Sequence, residues 1–76
     1  MADKTFKLIE LVGVSDQSIQ QAVRNAVKRA GKTVKGMSWF EVTDIRGSVE
    51  GNEVTAFQVT LKAGFRILDD GEPTKP

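Results

Sequence analysis

Few side chains in this 76-residue chain can carry chemistry, because it contains neither cysteine nor histidine. Thiolate nucleophiles, disulfides and the usual neutral-pH acid–base group are therefore excluded. The one tryptophan, Trp39, stands in the stretch MSWFEVTDIR, residues 37–46. If this stretch is a strand, Phe40 and Val42 point to one face and Trp39 to the other. With Phe40 and Val42 in the core, the indole is left on a face that the chain's own core does not cover.

Trp39 has two interpretations that the sequence leaves open. It is either an aromatic anchor between subunits or a platform on which a flat ring ligand stacks. Gln58 is expected on the same face, where its amide can donate to and accept from the edge of a heterocycle; a solvent-facing strand glutamine is the alternative. Arg46 and Arg66, near the ends of two strands, can each bind a phosphate or form a surface salt bridge.

The remaining polar residues do not indicate catalysis. No nucleophile–base pair can be recognised, and the glycines lack the spacing of a nucleotide-binding fingerprint. Five carboxylates are interpreted as solvated or interface charges: Glu10, Glu41, Asp44, Glu50 and Glu53. We therefore expect a binding protein rather than an enzyme.

Composition and length narrow the class further. The formal net charge of +1 argues against a general nucleic-acid or membrane-surface binder, which would show a strong basic excess. No apolar segment has the length of a signal peptide or a membrane span, so a cytoplasmic protein is expected. We predict one domain, residues 1–68, followed by a flexible tail, residues 69–76, that contains glycine and proline.

Hydrophobic periodicity predicts four elements and an α+β fold. Strands are predicted over residues 4–12, 37–48 and 53–67, and a helix begins near Ser15, with Gly31 or Gly36 as a left-handed residue at its end. Apolar residues at helical spacing form one stripe: Ile19, Ala22, Val23, Ala26, Val27 and Ala30. The stripe consists mostly of small residues, so the helix can lie close to a sheet. The expected architecture is β-α-β-β, a three-stranded antiparallel sheet of order 1-3-2 packed on one helix.

The expected register separates the candidate ligands. With a two-residue turn at residues 50–51, Trp39 lies opposite Lys62 and Gln58 opposite Thr43, roughly 13 Å apart along the sheet. A ring that touches both then needs a symmetry-related chain or a bulged register. Strict alternation places Arg46 on the helix side, and a bulge would be needed to bring it to the face of Trp39.

The difference in length between the helix and the strands predicts that the chain associates with other copies of itself. A helix of about 17 residues spans roughly 25 Å, whereas a strand of about 12 residues spans roughly 40 Å. The far face of the sheet, with Trp39, Ile45 and Val12, is left uncovered. Apolar surface of this kind usually marks an interface, so we expect an obligate homo-oligomer.

Five segments together resemble the dodecin family. They are ELVGVS at 10–15, SWFEV at 38–42, IRG at 45–47, FQV at 57–59 and GFR at 64–66. The likeness runs from about residue 4 to residue 68, nearly the whole chain. Dodecins are small flavin-binding proteins that assemble into hollow dodecamers of cubic symmetry. The resemblance therefore implies a homododecamer that stores flavin and quenches its photochemistry.

The resemblance also implies roles for individual residues. Trp39 would stack on the isoalloxazine ring, with two flavins and two tryptophans layered across a twofold axis. Gln58 would hydrogen-bond the ring edge, and Arg46, or secondarily Arg66, would lie near the ribityl phosphate. Bacterial members prefer FMN and archaeal members prefer smaller flavins. The presence of both arginines favours FMN here, with other flavins as the alternative.

Some bacterial dodecins also hold coenzyme A. The resemblance points to the basic cluster at the end of the helix: Arg29, Lys32 and Thr33. The alternative for these residues is a set of surface groups in which the cations complement the helix dipole.

Overall fold

The computed structural model describes residues 4–67, which form one sheet and one helix. The elements in chain order are β1 (Thr5–Ser15), α1 (Ile19–Ala30), β2 (Met37–Glu50) and β3 (Glu53–Ile67). β3 is the central strand and pairs antiparallel with both neighbours, which gives the order β1-β3-β2. The predicted β-α-β-β order and the 1-3-2 sheet are confirmed. The predicted tail, residues 69–76, lies outside the described residues.

The junction between β1 and α1 differs from the prediction. β1 continues to Ser15, and the helix begins at Ile19 with Ser18 as its N-cap; the backbone N–H of Gln21 donates to Ser18 Oγ at 2.9 Å. The predicted helix start at Ser15 is therefore wrong. Its hydroxyl instead accepts the backbone N–H of Gln17 at 2.9 Å and so closes the turn between strand and helix.

The end of α1 also differs. Gly31 follows the helix directly, but its φ of −64° is right-handed. Gly36 has a φ of +81°, in the left-handed region, but it immediately precedes β2 rather than ending the helix. Neither glycine therefore provides the expected left-handed helix end. With 12 residues, α1 spans roughly 18 Å, which is shorter than predicted.

The core is small and lies where α1 crosses β1 and β3. Ala22 and Ala26 pack on Val59 and Leu61, with Leu11, Val23 and Val27 around them. At Gly13 of β1, an added Cβ would lie 3.0 Å from the Cβ of Ala26 and would overlap the backbone carbonyl of Ala22. The stripe of small residues thus permits the close contact between helix and sheet that was predicted.

The hairpin between β2 and β3 has a different turn from the one expected. Gly51 and Asn52 both have positive φ, +59° and +68°, and Glu50 pairs with Glu53. Two central residues with positive φ define a type I′ turn, which suits the twist of the flanking strands. The predicted turn at residues 50–51 is wrong by one residue. Register shifts at 37/39, 42/44 and 48/49 displace the pairing further.

The bulge at Thr43 changes which side chains share a face. Beyond it, Arg46 lies opposite Gln58, and Ile45 lies opposite Val59 on the helix side. The bulge that the sequence required to bring Arg46 to the face of Trp39 is therefore present, whereas the prediction that Ile45 lies on the far side is wrong. Val12 pairs with Thr60 on the far side, as predicted.

β2 lies largely beyond the cover of the helix. Phe40, Val42 and Ile45 share the helix side of the sheet, yet all three are exposed. The predicted core role of Phe40 and Val42 is thus wrong within one chain. β2 has 14 residues and spans roughly 46 Å, more than twice the length of α1.

The chain is less compact than an ordinary domain. Its Cα radius of gyration is 15.5 Å, whereas about 11 Å is expected for a compact chain of this length. Among residues 4–67, no helix has the length and hydropathy needed to cross a membrane.

Candidate functional site

The sheet face turned away from α1, here called the outer face, carries every residue predicted for the flavin site. Pairing with β3 places four exposed apolar side chains of β1 on this face: Phe6, Leu8, Val12 and Val14. Beside them runs the row of β3, in which Gln58, Thr60, Lys62, Gly64 and Arg66 alternate onto the same side. The face therefore combines an apolar margin with a polar centre, in which Glu10 and Glu41 lie opposite Lys62.

Trp39 lies on the outer face directly opposite Gly64, and 44% of it is exposed. A Cβ added at Gly64 would lie 2.8 Å from the indole Nε1 and closer still to Cε2 and Cζ2. An atom approaching in the ring plane would meet Nε1 or Cζ2 before Cε2, so the glycine lies against the flat side of the indole. The opposite side of the ring is thus turned outward, where a planar ligand can stack on it.

Two cations flank the indole along β3. Lys62 and Arg66 each stand two residues from Gly64 on the outer face, roughly 7 Å along the strand. The backbone N–H of Arg66 also donates to the carbonyl of Gly36 at 3.3 Å, which ties this end of β3 to the residue before β2. Of the two predicted arginines, Arg66 is therefore the one beside Trp39.

Gln58 and Arg46 form a second group near the hairpin end of the sheet. They are opposite each other in the β2–β3 register. Arg46 Nε lies 3.3 Å from Asp44 Oδ2, with side chains 68% and 50% exposed. An ion pair in such exposure contributes about 0–1 kcal/mol, so it leaves the guanidinium available to a ligand.

The structure thus divides the four predicted residues into two pairs. Gln58 and Gly64 are six residues apart on β3, roughly 20 Å, so Trp39 and Gln58 are farther apart than the roughly 13 Å expected. One ring cannot touch Trp39 and Gln58 of the same chain. If both groups serve one ligand, a second protomer must supply one of them.

The residues suggested for coenzyme A lie elsewhere, at the end of α1. Arg29, Lys32 and Thr33 are exposed there; the backbone N–H of Lys32 donates to the carbonyl of Arg29 at 3.3 Å. Arg29 also lines an open cleft of about 200 Å³ between α1 and β1, with Gly13 and Asn25. Lys28 and Arg29 occupy the last helical turn, where cations complement the dipole, so both interpretations of the cluster remain. Coenzyme A binding stays a prediction.

Gly64 is a residue of the candidate site to which the sequence pattern alone assigned no role. It lies inside a long strand of alternating pattern, where a glycine often marks the close approach of another group. The signal was present, but only the true register shows that Trp39 is the group opposite.

Comparison with known proteins identifies the class to which this fold and site belong. A model of the family described as Dodecin matches residues 5–68. A curated dodecin from Thermus thermophilus is 42% identical over 64 residues, covering 84% of this chain and 93% of the relative. The chain therefore belongs to the dodecin family.

Solved structures agree with this assignment. The dodecin of Streptomyces coelicolor is 46% identical, with a TM-score of 0.84, and the match covers 92% of this chain and all of that one. The calcium dodecin of Mycobacterium tuberculosis, described with a calcium-binding site, has a TM-score of 0.73 at 24% identity over 92% of this chain and 99% of that chain. At that identity, the likeness shows the fold alone.

Proposed function

We propose that this protein binds and stores a flavin, with FMN as the preferred ligand, at Trp39 within a homododecamer. One observation carries the proposal: an exposed indole lies flat on the backbone of Gly64 and turns its other side outward. A core tryptophan would be covered on both sides. Membership of a family of small binding proteins supports the same conclusion.

Each candidate residue then has a defined task. Trp39 stacks on the isoalloxazine ring, an interaction of about 1–3 kcal/mol by analogy with bases on aromatic side chains. Arg66, on the same face and close to the indole, attracts the phosphate of FMN. Contact between indole and flavin also quenches the excited flavin and so limits its photochemistry.

Gln58 and Arg46 serve the same ligand from a second protomer. In one chain they lie roughly 20 Å from Gly64 along β3, too far for one ring to reach both groups. A twofold axis that passes between the two groups would bring the second group of one chain to the first group of another. Gln58 then hydrogen-bonds the ring edge, and Arg46 adds a second cation for the ribityl phosphate.

Exposed apolar surface supports assembly. On the outer face, β1 exposes Phe6, Leu8, Val12 and Val14; on the helix side, β2 exposes Phe40, Val42 and Ile45. Exposed large apolar side chains on both sides of one small sheet are typical of a subunit rather than of a monomer. Other copies of the chain would bury these strips, and the extended protomer would become part of a compact shell.

The experiment is a titration of FMN with the purified protein, followed by flavin fluorescence, together with an absorption spectrum as purified and the native mass. We expect quenched fluorescence, a flavin spectrum and a mass near that of twelve chains. Unchanged FMN fluorescence in the presence of excess protein would exclude flavin storage.

The alternative to flavin storage is a purely structural role, in which Trp39 packs against a neighbouring subunit of an oligomer. Trp39→Ala distinguishes the two. Flavin binding lost with native mass unchanged supports storage, whereas dissociation of the oligomer supports packing. The half-exposed ring, whose removal leaves no cavity in the core of one chain, favours the first result.

A further inference from the structure

We infer that Gly64 is a positioning residue of the flavin site: its missing side chain lets the indole of Trp39 lie flat against the sheet. The inference rests on the proposed function, because the positioned ring is the proposed stacking surface. Gly64 lies opposite Trp39 in the sheet, and atoms of the indole ring occupy the position where a Cβ of residue 64 would stand.

Backbone conformation does not explain the glycine. Among residues 4–67, the glycines with positive φ are Gly36 and Gly51, so Gly64 has a conformation that any residue can adopt. A glycine inside a central strand weakens that strand, because it orders a flexible backbone and packs no side chain. Close approach of another group is the remaining reason for a glycine here, and the indole is the group that approaches.

The neighbouring residues show that the gap is local. Along the outer face of β3, Lys62 and Arg66 carry long side chains on either side of Gly64. The single missing side chain leaves a slot one residue wide between two cations, and the indole lies in that slot. The slot therefore fixes both the tilt of the ring and its place between the charges.

A methyl group at position 64 would occupy the space of the ring. It would lie 2.8 Å from Nε1 and closer to Cε2 and Cζ2, all well inside van der Waals contact. The indole would have to swing outward or tilt. Trp39 would still be present and exposed, but its outward side would no longer lie parallel to the sheet, and stacking would be lost.

The test compares Gly64→Ala with Gly31→Ala. Gly31 is a matched control because its φ is −64° and the nearest atom to an added Cβ is 3.2 Å away, remote from Trp39. We expect Gly64→Ala to bind FMN about tenfold to a hundredfold more weakly, the loss of one stacking contact, with native mass unchanged. The near-ultraviolet circular dichroism of the flavin-free protein should change as well. Gly31→Ala should leave both unchanged. Wild-type affinity in Gly64→Ala would overturn the inference.

A double-mutant cycle tests the same contact without any ligand. Gly64→Ala is made in the wild-type chain and in Trp39→Ala, and the melting temperature is measured at one protein concentration. We expect a lower melting temperature only where the indole is present, since alanine is otherwise the better strand residue. Recovery of folding in the double variant would support the contact even if Gly64→Ala alone does not assemble.

The FMN-binding measurement and the double-mutant cycle together separate this inference from the proposed function. If the wild-type protein fails to quench FMN, flavin storage is wrong, and the cycle still decides whether Gly64 positions the ring. Equal effects of Gly64→Ala in both backgrounds, with unchanged circular dichroism, would overturn the positioning role whatever the flavin does.

Discussion

Gly13 and Gly64 invite comparison, because a neighbouring group occupies the position of the absent Cβ in both. Gly13 faces α1, and the group against it is the backbone of Ala22. Gly64 faces the opposite way, and the group against it is the ring of Trp39. The first contact is buried on both sides, whereas the second leaves one side of an aromatic ring open. The absence of a Cβ therefore allows close packing of the core at Gly13 and shapes the proposed binding surface at Gly64.

The largest expected effect is on the helix side, from Gly13→Ala. Its Cβ would overlap the carbonyl of Ala22, and neither the strand nor the helix backbone can move away easily. Overpacking of this kind costs about 1–3 kcal/mol, and the melting temperature followed by circular dichroism at fixed concentration should fall. A melting temperature equal to that of wild type would show that the two glycines are not under the same constraint.

Trp39→Phe tests the contact at Gly64 by changing the aromatic ring that lies against it. Phenylalanine keeps an aromatic ring but offers a smaller flat surface for stacking. FMN affinity should therefore fall about tenfold, or about 1.4 kcal/mol, with native mass unchanged. Fluorescence titration measures the affinity, and Gly31→Ala provides the control. Retained affinity would mean that ring size does not matter at this position.

A smaller effect is expected from Arg66→Ala, and it should depend on the ligand. If Arg66 attracts the phosphate, FMN should bind about fivefold more weakly, while riboflavin, which lacks the phosphate, should be unaffected. The loss for FMN should also shrink at high salt, because screening weakens the interaction in the wild type. Equal losses for the two flavins would assign Arg66 to ring packing instead.

The smallest effect is expected from Asp44→Asn. The ion pair of Asp44 with Arg46 is exposed, so its loss should change the free energy of unfolding by only about 0–1 kcal/mol. Because Arg46 is then freed from a competing carboxylate, FMN affinity should stay equal or rise slightly. Thermal melts and titration check both, and a marked loss of affinity would place Asp44 itself in the site.

Much of the fold followed from local patterns. The helical stripe that includes Ala22 and Ala26 predicted a helix close to the sheet, and that contact is present. The order of strands followed from the turn and the long crossover. Trp39 was placed correctly on the outer face because alternation around it is undisturbed in residues 39–42. These features depend on near neighbours in the sequence, which a single chain displays.

The register could not be predicted in the same way. The type I′ turn at Gly51 and Asn52 displaces the pairing by two residues and the bulge at Thr43 displaces it by one, and a bulge is stabilised by contacts across strands. The wrong register hid Gly64 opposite the indole, and without the bulge Ile45 was placed on the wrong side. Phe40 and Val42 were assigned to a core because their pattern is apolar, although the surface that covers them is not part of one chain.

The bulge at Thr43 has a consequence for how this hairpin tolerates change. Thr43 is the unpaired residue between Val42 and Asp44, and its hydroxyl donates to the carbonyl of Thr60 at 3.2 Å. Deleting this one residue would remove the bulge and leave Ile45 opposite Val59 and Arg46 opposite Gln58, each on its present side of the sheet. Keeping Thr43 but pairing it regularly would instead exchange the sides of Ile45 and Arg46, so the chemistry of each face of the hairpin arm depends on the bulge. Alignments of related hairpins that misplace one gap would compare residues on opposite surfaces.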